Sequence, residues 1–264
     1  MKKNYMQQSL DNIACFFTED FAKQRTTFFR IIKKFKEYNI EWALACSCNL
    51  FFRGIVDDFH DFDFIVDNGS AKNIVEIMKA LGATLVDTGG NGYCESDLYL
   101  HYRLNNCDVD IICGFRLITF GTSYYYEFNA KEIDFLNSDY LNNIPLVSVE
   151  NLFLLYAMME GWQRRRKFKR DLLFEYLQSN CIHPQILKRS LKKRLPDWIN
   201  NLIHQLFCCR IGDVYFWTFL SYLGQIFHVN RDGAFGVIFC HWKGFLNILF
   251  LGSTERKNLL LLKK

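Results

Sequence analysis

Proline is scarce in this 264-residue chain, with 3 residues, and glycine is modest, with 15. Collagen-like, low-complexity and disordered chains need far more of both, so those classes are excluded. No Gly-x-x-x-x-Gly-Lys-Ser/Thr phosphate loop is present; Gly252-Ser253-Thr254 lacks the lysine and the first glycine. Zinc spacing is missing too: Cys46/Cys48, Cys181-x-His183, Cys208-Cys209 and Cys240-His241 do not assemble a ligand pattern. The ten cysteines form no disulfide framework, and the N-terminus has no signal-peptide pattern. They are expected as buried thiols in a reducing cytoplasm. Val214–Asn230 carries no Asp, Glu, Lys or Arg, but Ser221, Gln225, His228 and Asn230 interrupt it. It falls short of the roughly 18 apolar residues of a membrane span, so a buried helix is expected there. Phe235–Leu251 is broken by His241, Lys243 and Asn247, and no span is expected there either.

What the chain does have is apolar mass: half its residues are hydrophobic and 26 are phenylalanine. That is enough to bury a sizeable core. Charge is unevenly placed. Residues 1–150 hold 14 basic and 21 acidic side chains, a net of −7, and residues 151–264 hold 18 and 7, a net of +11. Two lobes with different electrostatic roles fit this split, with a metal and a polyanion between them or a nucleic acid on the basic one.

Hydrophobic spacing predicts a helix over Glu19–Tyr38, with Thr18 as its cap, and a short strand over Trp42–Cys46. Ser47 opens a short helix that ends near Gly54. Asp61–Val66 alternates as a strand. A helix capped by Ser70 runs to Leu81, with Gly82 as its stop. Strands are expected near Thr84–Asp87, Asp97–Leu104 and Asp108–Cys113, the last two joined by a tight turn at Asn105–Asn106. After Pro145 the pattern turns helical: Ser148 through Trp162, then about Phe168–Gln178, then three or four more helices. Trp162, Trp198, Trp217 and Trp242 are expected in helix packing. The fold class is therefore α+β. A mixed sheet flanked by helices occupies 1–145, and an all-helical half occupies 146–264.

Asp61-Phe62-Asp63 carries the chemistry. Residues two apart on a strand share a face, so both carboxylates project together while Phe62, Phe64 and Val66 point into the core. Two like charges so close repel, and a bound divalent cation offsets that cost. Oxygen-only ligands favour Mg²⁺ or Mn²⁺ over zinc. A third carboxylate is available from Asp110, or from Asp108 on the same strand face. Three carboxylates around two Mg²⁺ ions suit in-line phosphoryl or nucleotidyl transfer. A lone Asp-x-Asp is more often a pair of strand-end acids, so the upstream residues matter. They read Trp42-Ala43-Leu44-Ala45-Cys46-Ser47-Cys48-Asn49-Leu50, then Arg53-Gly54, then His60-Asp61-Phe62-Asp63. A helix N-terminus at Ser47 presents free N–H groups to a phosphate.

In these residues the chain resembles the nucleotidyltransferase superfamily with the DNA polymerase β-like fold. The family pattern is a strand, Gly-Gly/Ser, a short helix and Asp-x-Asp. His60, one residue before the first Asp, is most similar to the aminoglycoside and lincosamide branch. Leu146-Val147-Ser148-Val149-Glu150-Asn151-Leu152 resembles the start of the family's helical half, and Arg170-Asp171-Leu172 its later Lys/Arg-Asp pair. The resemblance covers about residues 38–178. It implies an enzyme moving a nucleoside monophosphate from a triphosphate, ATP among the candidates, to an acceptor hydroxyl. Asp61, Asp63 and Asp110 would hold the metals, Asp110 would take the acceptor's proton, and Ser47 and His60 would contact the nucleotide.

The family's glycines are replaced here by Ala45-Cys46, whose side chains narrow the approach to phosphates. A catalytically degenerate binding or regulatory protein is therefore the competing class. Six of the seven residues Arg164–Arg170 are basic. They form either a solvated helix junction or a hold on the triphosphate; Lys167 and Arg170, three apart, are the expected nucleotide contacts. Lys188-Arg189 and Lys192-Lys193-Arg194 read as the basic outer face of an amphipathic helix, solvated or touching RNA. The expected acceptor is a small molecule, with RNA as the alternative.

Overall fold

The computed structural model describes residues 4–88, 94–119, 122–160, 165–193 and 195–208. The expected helix at Val214–Asn230, the Phe235–Leu251 run, Trp162, Trp217, Trp242, Cys240 and His241 lie outside them. The described elements are α1 (Tyr5–Phe16), α2 (Ala22–Glu37), β1 (Trp42–Ala45), α3 (Cys46–Phe52), β2 (Asp61–Val66), α4 (Ala71–Ala80), β3 (Thr84–Asp87), β4 (Cys94–Leu104), β5 (Cys107–Thr119), β6 (Thr122–Tyr126), β7 (Ile133–Leu136), β8 (Ile144–Val147), α5 (Val149–Glu160), α6 (Arg165–Asn180), α7 (Pro184–Ser190) and α8 (Asp197–Cys208). Among these residues no helix is long and apolar enough to cross a membrane.

The helix expected from Glu19 begins as a 3₁₀ turn at Glu19–Phe21 and becomes α-helical only at Ala22. Thr18 makes no side-chain cap; its hydroxyl donates back to the Cys15 carbonyl at 2.7 Å. Ser70 likewise precedes α4 without a side-chain cap bond. α1 was not legible in the sequence. Asn4 caps it by accepting from the Gln7 N–H, and it buries Ile13 and Phe16. Asn12 on α1 donates to the carbonyls of Phe51 and Val56 at 2.7 and 2.9 Å, which holds α1 against the end of α3.

Gly54 sits at that junction with φ +68°. A Cβ there would stand 2.5 Å from the Ser9 nitrogen and 2.6 Å from the Tyr5 carbonyl oxygen. Gly54→Ala is expected to cost on the order of 3 kcal/mol, from left-handed strain plus overpacking against backbone. Urea unfolding measures this; a loss under about 1 kcal/mol would mean that α1 moves away easily.

The eight strands form one mixed sheet in the order β3-β4-β5-β2-β1-β8-β7, with β6 paired to β5. β1 runs antiparallel to β2, and β2 runs parallel to β5. β4 and β5 form a hairpin whose turn residues Asn105 and Asn106 have φ +53° and +60°. Positive φ at both central residues matches the twist of the strands, and asparagine tolerates it. The boundary expected between 145 and 146 falls inside β8, which lies beside β1.

Strand alternation sends alternate side chains into two cores. On one face Phe62, Phe64 and Val66 meet Phe28, Ile31 and Phe35 of α2 and Ile74 and Ile77 of α4. Phe28 stacks on Phe62 at 5.6 Å between ring centroids. On the other face Ile65, Ala43, Ala45 and Ile112 pack with α5, whose residues from Val149 to Met159 are all buried. The architecture is α+β, a mixed sheet flanked by helices, with α5 to α8 following it.

Candidate metal and nucleotide site

β1 reaches its end with Ala45 extended at φ −122°, and Cys46 then turns the chain into α3 at φ +47°. That left-handed geometry is easy for glycine and strained for a residue with a Cβ. Ser47 follows, and its hydroxyl donates to Asp61 Oδ1 at 2.8 Å. Ala45 is the cross-strand partner of Asp63. The parallel pairing of β2 with β5 sets Asp61 opposite Asp108 and Asp63 opposite Asp110.

This register brings oxygens of Asp61, Asp63 and Asp110 within 4.8 Å of one another. Asp63 is 6% exposed, and the other two are half-buried. Burial pushes the Asp110 carboxyl above its ordinary range, and Asp61 adds to the push. Hydrogen bonds from His101 and Tyr99 draw it back. The buried Cys48 thiol is raised well above its ordinary value, by burial first and then by Asp63 and Asp61. An oxygen-only set of three carboxylates fits a hard divalent cation such as Mg²⁺ or Mn²⁺.

Asp108 lies outside this group. Its Oδ1 accepts from Arg103 Nε and Nη2 at 3.0 and 2.9 Å. β4 supplies three side chains that the sequence reading missed: Tyr99, His101 and Arg103, alternating along one strand. His101 Nδ1 lies 2.6 Å from Asp110 Oδ1, and its Nε2 lies 3.7 Å from Asp108 Oδ1. The signal was available. A two-residue turn at Asn105–Asn106 pairs 104 with 107, 103 with 108, 102 with 109 and 101 with 110 by counting outward, which is the register observed.

The other expected contacts have partners of their own. His60 is 90% exposed, its nearest acid being Asp58 at 3.8 Å. Lys167 Nζ pairs with Asp171 at 2.6 Å. Arg170 is 1% exposed; Nη2 pairs with Asp171 at 2.7 Å, Nη1 lies 3.3 Å from Glu160, and the guanidinium lies over Trp198. Arg170 thus ties α5, α6 and α8 together. Burial raises the Glu160 carboxyl, and Arg170 opposes that rise most. Lys169 lies over the Tyr156 ring. Arg164 and the side chains of Arg165 and Arg166 are outside the described residues. On the later basic stretch Arg189 pairs with Glu132 at 2.7 Å.

The strand–helix–strand unit β1–α3–β2, with the third carboxylate on adjacent β5, is the local arrangement that the resemblance in the sequence implied. No protein-family model matches the chain, and no curated protein does. Solved structures do. A Thermotoga maritima protein classed as a nucleotidyltransferase is 18% identical over 56% of this chain and 91% of its own, with a TM-score of 0.44. The antibiotic-resistance factor ANT(2'')-Ia is 10% identical over 79% of this chain and 97% of its own, with a TM-score of 0.45. The lincosamide antibiotic adenylyltransferase LnuA is 13% identical over 55% and 93%, with a TM-score of 0.38.

Proposed function

We propose that this chain is a metal-dependent nucleotidyltransferase that moves a nucleoside monophosphate from a triphosphate to a hydroxyl of a small-molecule acceptor. The observation that carries the reading is the meeting of Asp61, Asp63 and Asp110 within 4.8 Å on adjacent strands, beside Ser47. Asp61 and Asp63 would hold two Mg²⁺ ions, with Mn²⁺ as a substitute, and Asp110 would share one of them. Bound there, the ions would neutralise the triphosphate and favour the attacking hydroxyl as an alkoxide.

The protein's own part is positioning and proton transfer. The acceptor oxygen attacks the α-phosphorus and forms a new P–O bond, while the bond to the bridging oxygen of the β-phosphate breaks and pyrophosphate leaves. The acceptor's proton would go to the Asp110 carboxylate, which lies with Asp61 and Asp63 where the attacking hydroxyl would approach. Ser47 would turn its hydroxyl from Asp61 to the phosphates, and His60 at the exposed rim would meet the nucleotide. Lys167 and Arg170 enter only if their ion pairs with Asp171 and Glu160 open.

One observation favours a second reading, a degenerate binding protein on the same fold: Cys46 holds a side chain at the left-handed position where the family carries glycine. A single experiment separates the two. The protein is incubated with labelled ATP, CTP, GTP and UTP in Mg²⁺ against aminoglycosides, lincosamides, sugars and tRNA. Label transfer with pyrophosphate release is expected for at least one small-molecule pair. Nucleotide binding without transfer to any acceptor would select the degenerate reading, and transfer to tRNA alone would replace the small-molecule acceptor.

A further inference from the structure

We propose that His101 is the positioning residue of the metal cluster: from β4 it fixes the carboxylate of Asp110 in the orientation that a divalent cation requires. The proposal rests on the metal reading above and adds to it a residue from a strand outside the Asp-x-Asp motif. Its basis is cross-strand geometry. His101 is paired with Asp110 and Arg103 with Asp108 across the β4–β5 hairpin. Such partners have Cβ atoms about 5 Å apart, close enough for one side chain to hold the other.

An aspartate carboxylate rotates broadly about χ2, so its oxygens have no fixed direction of their own. At Asp110 the freedom is removed. Oδ1 accepts from His101 Nδ1 at 2.6 Å, since an ionised carboxylate only accepts. The imidazole is itself constrained, 22% exposed and with Nε2 turned toward Asp108. Tyr99 is a second hydrogen-bond partner of this carboxylate, and an Asp110 oxygen still lies within 4.8 Å of oxygens of Asp61 and Asp63, where a cation would sit. Arg103 completes the sorting: by holding Asp108 Oδ1 through two nitrogens, it keeps the second acid of β5 out of the cluster. Two acids on one strand face are thereby given different tasks by two residues of the neighbouring strand. Partners of this kind, behind a metal's ligands, commonly set the metal's affinity.

The test uses Mn²⁺ alone, followed by loss of its free-ion electron paramagnetic resonance signal, on the full chain without nucleotide. His101→Leu and His101→Asn have nearly the same shape, but only Asn keeps an N–H near the Nδ1 position. His101→Leu is expected to weaken Mn²⁺ binding roughly 10- to 100-fold. His101→Asn should stay within about threefold of the unmodified protein, because its amide replaces the donor. A packing role alone would move both variants alike. Equal affinities for the two variants overturn the proposal. Asp63→Asn separates this failure from failure of the metal reading: if that variant loses Mn²⁺ while His101→Leu keeps it, only the positioning role falls. If the unmodified protein takes up no Mn²⁺, both fall together. Thermal unfolding of each variant confirms that a folded chain is being compared.

Discussion

Asp63→Asn should abolish metal binding and lower nucleotidyl transfer by roughly 10³-fold, since a bound metal supplies several kcal/mol of transition-state stabilisation and each 1.36 kcal/mol is a decade in rate. The same variant should make the metal-free protein more stable. Asp63 is nearly enclosed, and the oxygens of Asp61 and Asp110 are within 4.8 Å of its own. Removing one of three repelling charges from such a site is worth on the order of 1 kcal/mol, or a few degrees in thermal midpoint. The signature is therefore opposite movement: stability up without metal, activity gone with it. Asp61→Asn should behave similarly but gain less, because Ser47 already donates to that carboxylate. Full transfer activity in both variants would remove the site assignment.

The second large effect is expected at Cys46. Its φ of +47° costs a residue with a Cβ about 1–2 kcal/mol, and glycine would recover that. Glycine also frees the unfolded chain and gives up the thiol's packing against the core, so Cys46→Gly should gain no more than about 1 kcal/mol of stability. The larger change is in ligand binding. Clearing the Cβ from the turn before Ser47 should raise triphosphate affinity about tenfold, equivalent to 1.4 kcal/mol. Denaturant midpoints and a nucleotide titration in Mg²⁺ measure the two effects. Unchanged or weaker binding would show that Cys46 points away from the phosphates, and the case for a degenerate protein would lose its one support.

Much of this was legible in local pattern. The alternation at Asp61–Val66, the helix between Ser70 and Gly82, and the Asn105–Asn106 turn each depend on residues near in sequence, and the structure contains all three. β6, β7 and β8 were not legible. Thr122–Tyr126 has three consecutive tyrosines and no alternation, and the four-residue β8 contains Pro145, which argues against a strand. α1 leaves Met6 and Leu10 exposed, so its apolar stripe is weak.

The division follows the range of the interaction. Spacing alone placed Asp61 and Asp63 on one strand face, because side-chain alternation is a property of the backbone. Spacing left Asp108 and Asp110 equivalent, because the two share a strand face; only the resemblance to the nucleotidyltransferase superfamily favoured Asp110. Their separation came from tertiary structure: β2 against β5 in parallel register, and Arg103 and His101 of β4 each taking one acid. Lys167 and Arg170 show the same limit. Their sequence pattern states charge and helical spacing, but burial in the packing of α5, α6 and α8 commits Arg170 to Glu160 and Asp171. A charge removed from water must be paired where it lies, and which acid lies there is decided only when distant segments meet.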